Sequence, residues 1–95
     1  MTVEELRGEL EKIVAGLTSS GFGTIDPGTI EKLEKLTPAA GELGMKSGQH
    51  LIENLSAVMK AIQEGKSNEG SGQVRLTALD FYIQHIKGGV LEEEL

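Results

Sequence analysis

The chain has 95 residues, a net charge of −6 and no cysteine. That length makes one small domain, marginal in stability unless well packed or oligomeric, and the missing thiols exclude disulfides, thiolate zinc sites, iron–sulfur clusters and cysteine nucleophiles. Lys and Arg number 9 against 15 Asp and Glu, with no basic stripe, which argues against nucleic-acid binding by phosphate neutralisation.

Thr2 followed by Glu5 is a capping-box pattern, and it opens a helix expected over residues 3–20. Val3, Leu6, Leu10, Ile13 and Leu17 recur at helical spacing, with Val14 widening the stripe. Gly21 ends the helix; with glycine in the left-handed position, Phe22 folds back on Leu17 as in a Schellman ending. Acidic residues stand where a signal peptide needs basic ones, and no continuous apolar segment follows them. The longest uncharged run, residues 13–25, holds four polar residues and three glycines, too short and too broken to span a membrane. The expectation is a soluble, cytoplasmic protein with no membrane partner.

A short second helix is expected over residues 27–36. Asp26 caps it, Pro27 takes its first position, and Ile25 staples to Ile30. Ile30, Leu33 and Leu36 form a narrow apolar strip, and Glu31 with Lys35 makes a surface pair one turn apart.

Residues 38–64 read as one long third helix, capped by Thr37, opened by Pro38 and closed by Gly65. Gly44, Gly48, Leu51, Leu55, Val58 and Ile62 fall on one stripe, and Met45, Ile52 and Met59 repeat beside it. Gly41, Gly44 and Gly48 each cost about 1 kcal/mol against alanine in a helix interior. All three fall on the core-facing side of the wheel and predict a groove where another backbone comes close, with helix 2 as its simplest occupant. The competing reading is a kink or frayed turns between residues 37 and 48.

Residues 65–73, GKSNEGSGQ, read as a solvated connector. They do not make a phosphate loop, because a helix precedes them and Lys66 lies far upstream of the next one. A fourth helix is expected over residues 72–87, ending at Gly88 and Gly89. Leu76, Leu79, Ile83 and Ile86 give its inward stripe. Val74, Ala78, Phe81 and His85 form a second apolar series on another face, with Tyr82 between the two. That face meets either two helices of its own chain or a second chain. Residues 91–95 form an acidic, unstructured tail, in which Glu92, Glu93 and Glu94 carry half of the net charge. The whole is an all-α four-helix bundle, a single domain over residues 1–90.

Chemistry-bearing residues are sparse. His50 has Glu53 within helical reach but Asn54 where a helical metal site wants its second ligand, so no metal is expected. His85 opens the string His85-Ile86-Lys87-Gly88-Gly89, which resembles the His-x-x-Lys-Gly core of histidine phosphotransfer domains, themselves four-helix bundles. The string is one residue short between histidine and lysine, which swings the lysine about 100° around the helix, and no site residue is carried over from the resemblance. Ser47, Ser56 and Thr77 carry no nucleophile signature. No enzyme activity and no cofactor are expected. The sequence favours a non-enzymatic module that binds another protein or a second copy of itself, through Val74, Ala78, Phe81 and His85 or through the glycine groove at Gly41, Gly44 and Gly48. A phosphorelay bundle or a small regulatory adaptor is the alternative.

Overall fold

The structure, a computed structural model, describes residues 1–87, with Lys87 described in its backbone only. The expected terminator at Gly88 and Gly89 and the acidic tail lie outside the described residues. Four helices run in order: α1 (Val3–Ser20), α2 (Pro27–Glu42), α3 (Lys46–Gln63) and α4 (Glu69–Lys87). There is no strand among the described residues, so the all-α four-helix bundle stands. Its body measures 38 × 20 × 19 Å.

α1 forms as its sequence dictates. The Thr2 amide donates to Glu5 Oε1 at 3.0 Å and the Glu5 amide to Thr2 Oγ1 at 3.1 Å, closing the capping box. The bond from the Thr2 backbone, then that from its side chain, holds the Glu5 carboxyl below the usual glutamate range. Leu6, Leu10, Ile13, Val14 and Leu17 are all buried. Gly21 has φ 73° but ψ −168°, so the chain leaves extended rather than in the expected Schellman turn. Phe22 is buried nonetheless.

The largest correction concerns the boundary between the second and third helices. α2 does not stop at residue 36 but runs through Pro38 to Glu42, so Thr37 and Pro38 do not open the next helix. Local signals lose here to packing: continuing the helix buries Ala40 completely, one turn beyond Leu36. The Thr37 hydroxyl turns back to donate to the Leu33 carbonyl at 2.9 Å.

The long helix breaks at Leu43, Gly44 and Met45, and the break is a Schellman motif. Met45 N–H donates to Ala40 O at 2.9 Å and Gly44 N–H to Gly41 O at 3.1 Å, with Gly44 at φ 76°. Buried Met45 and Ala40 supply the apolar pair that accompanies such endings. α3 ends the same way, with Gly65 at φ 74° and Lys66 N–H donating to Ala61 O at 2.7 Å. The expected closure at Gly65 is therefore present.

Within α3 the buried centre lies on Ile52, Leu55 and Met59, with Gly48 and Ser56. Leu51, Val58 and Ile62 flank it, partly buried. α4 starts three residues earlier than expected because Asn68 caps it: the Ser71 amide donates to Asn68 Oδ1 at 2.9 Å. The supposed connector is thus half helix.

Each helix packs on its sequence neighbours, and α1 on α4, closing a ring in which adjacent members are antiparallel. Glu34 of α2 meets Lys60 of α3 at 2.7 Å, and Gln63 Nε2 donates to the Ile25 carbonyl at 3.3 Å. Tyr82, late in α4, lies against Gly48, early in α3, while Gly72 at the start of α4 meets Ile62 and Phe22. The core is aliphatic, filled by Leu6, Leu10, Leu33, Ile52, Leu55, Leu76, Leu79 and Ile83. Burying one such side chain stabilises by about 1.5–3 kcal/mol.

Candidate functional site

The second apolar series on α4 lies outside the core. Leu76, Leu79, Tyr82, Ile83 and Ile86 face inward and are buried. Each residue of a helix is turned about 100° from the last, so Val74, Ala78, Phe81 and His85 gather on a face well away from that stripe. Val74 is 66% exposed and Phe81 78% exposed. Two full turns separate them, about 10 Å along the axis. Ala78 and His85 between and beyond them are half-buried.

An exposed phenylalanine leaves a large apolar area in water, and single exposed apolar residues are ordinary. Two on one stripe, of the three large exposed hydrophobics among the described residues, make a patch. Arg75 on one side and Thr77 and Gln84 on the other are exposed polar neighbours.

His85 closes the patch toward the end of α4. Its Nε2 is buried with no hydrogen-bond partner among the described residues. A ring nitrogen shut from solvent is poorly placed to take a phosphoryl group in line. His50 is exposed, with Nδ1 3.9 Å from Glu53 Oε2, a contact too long and too wet to matter for stability. No cluster of three or more His, Cys, Asp or Glu that could hold a metal occurs among the described residues.

The three groove glycines part company in the structure. Gly48 alone is buried at a close crossing: a Cβ there would stand 2.8 Å from Tyr82 Cε2. Gly41 is half-buried on α2, where a Cβ would meet Gln49 Nε2 at 2.7 Å, the end of a flexible side chain. Gly44 is exposed and serves the turn through its positive φ. The continuous groove is therefore absent. A close-approach glycine that the sequence reading missed is Gly72, where a Cβ would stand 3.0 Å from the Phe22 ring and 3.1 Å from Ile62 Cδ1. Its signal was hidden by the surrounding glycine and serine, which read as connector.

No helix among the described residues is long and apolar enough to cross a membrane. Comparisons with protein-family models, with curated proteins and with solved structures returned no match.

Proposed function

We propose that this chain is a non-enzymatic interaction module that associates with a second copy of itself through the outer face of α4. The observation that carries the reading is Phe81, which stands 78% exposed in phase with Val74. The series also reads well in reverse. In an antiparallel pair with its two-fold axis between Leu79 and Asp80, Phe81 opposes Ala78 and Val74 opposes His85, so large side chains meet smaller ones in an isologous contact. A patch two turns long buries less than the roughly 800 Å² per partner of a standard interface. The association is accordingly weak and concentration-dependent. A cytoplasmic setting belongs to the same proposal, since a chain without cysteine works unchanged in a reducing compartment.

Sedimentation equilibrium of the full chain against Phe81→Glu tests it. The parent is expected to show a reversible monomer–dimer equilibrium and the variant a monomer, with thermal unfolding within about 0.5 kcal/mol of the parent because the ring makes little contact in its own chain. A monomeric parent at millimolar concentration, or a variant that dimerises equally, overturns it.

A further inference from the structure

The seam between α1 and α2 is the loosest of the four around the ring. It holds a cavity of about 480 Å³ at its wide end and a smaller one of about 150 Å³ further along. The larger lies within the range of about 300–1,000 Å³ typical of small-molecule sites. Gly8 lines the first cavity and Gly16 the second, and a Cβ at either would meet nothing within 4 Å. The seam is therefore open because two positions on α1 lack side chains, with Leu36 and Met1 giving the wide end apolar walls.

Cations gather at this opening on a chain that is otherwise acidic. Lys12 of α1 and Lys32 of α2 line both cavities, and Lys35 joins them at the wide end. Lys32 and Lys35 have no ion pair among the described residues, and the expected surface pair of Lys35 with Glu31 is not made. Two carboxylates also border the larger cavity, but both are engaged. Glu5 accepts from the Thr2 amide at 3.0 Å, and Glu9 lies 3.8 Å from Lys12, so Lys12 is paired as well and Lys32 and Lys35 carry the unbalanced charge. Lys32 and Lys35 stand three residues apart on α2, so their like charges repel, and an anion placed beside the pair relieves that repulsion. The nearby carboxylates favour a singly charged head over a doubly charged one.

We propose that the wide end of this seam binds a fatty carboxylate, its alkyl chain against Gly8, Leu36 and Met1 and its head beside Lys32 and Lys35. The site is separate from the α4 face.

Titration of the full chain with decanoate, followed by amide chemical shifts, tests the proposal. Saturable shifts centred on Gly8, Lys12, Lys32 and Leu36 are expected, with affinity at least tenfold lower for decanol and for the double variant Lys32→Glu with Lys35→Glu. Gly8→Leu fills the seam and is expected to abolish those shifts while leaving the melting temperature equal or higher. Shifts that never saturate, or that centre on Val74 and Phe81, overturn the proposal. So does undiminished binding by both the double-charge variant and Gly8→Leu. Tighter binding of decyl phosphate than of decanoate overturns the choice of head group.

Discussion

Glycine lines both the α3–α4 seam and the α1–α2 seam, with opposite results. At Gly48 and Gly72 the missing side chain lets a neighbour in: Tyr82 at one, Phe22 and Ile62 at the other, all within van der Waals reach of an imagined Cβ. At Gly8 and Gly16 nothing comes near, and the space stays open. A glycine in a helix costs about 1 kcal/mol against alanine wherever it stands. On α3 and α4 that cost is offset by close packing. On α1 no packing offsets it, so the open seam is a feature whose compensation lies outside the fold's own core.

Alanine scanning of these positions separates the two seams. Gly48→Ala is expected to destabilise by about 1–3 kcal/mol, because its Cβ would stand 2.8 Å from the buried Tyr82 ring, and Gly72→Ala to cost less, because at 3.0 Å the Phe22 ring need give only a few tenths of an ångström. Urea unfolding measures this, and a neutral result at Gly48 would mean that Tyr82 swings aside and that the crossing is not tight. Gly8→Ala and Gly16→Ala go the other way, raising stability by up to about 1 kcal/mol each. A loss of stability at either would show that the seam closes in solution.

The smallest expected effect is one of pH at the rim of the open seam. The folded Glu5 carboxyl lies below its ordinary value because the Thr2 amide and then the Thr2 side chain bond it. A carboxyl depressed on folding adds stability that is present above its unfolded pKa, about 4.3, and is lost as pH falls through the lower folded value. Glu5→Gln therefore lowers the neutral plateau slightly and flattens the acid limb of a stability–pH profile below about pH 4.3, so that parent and variant converge in acid. An unchanged acid limb would place the titration elsewhere.

How far the sequence could be read depended on whether the deciding contacts were local. α1 was legible from end to end, because Thr2 with Glu5, the stripe from Leu6 to Leu17 and the stop at Gly21 all act within one or two turns. The α2–α3 boundary was not. Thr37 and Pro38 carry a start signal, and Gly41, Gly44 and Gly48 keep helical phase across what is in fact a turn. The choice fell to Ala40 and Met45, whose burial is decided by the other helices. The outward face of α4 could be found from the spacing of Val74, Ala78, Phe81 and His85, though only coordinates place Phe81 in water. The lysine-rimmed seam could not, because Lys12 and Lys32 lie on different helices and meet only once the ring has closed.

The turn at Leu43, Gly44 and Met45 also bears on how the chain reaches this state. It joins the most extensively packed pair of helices through three residues, and Gly44 is already suited to the conformation that the reversal needs. Bringing α2 and α3 together therefore closes almost no loop, and the entropy lost in doing so is near its minimum. With α1–α4 as the main packed pair distant along the chain, the bundle has the short-range wiring of proteins that fold in microseconds to milliseconds.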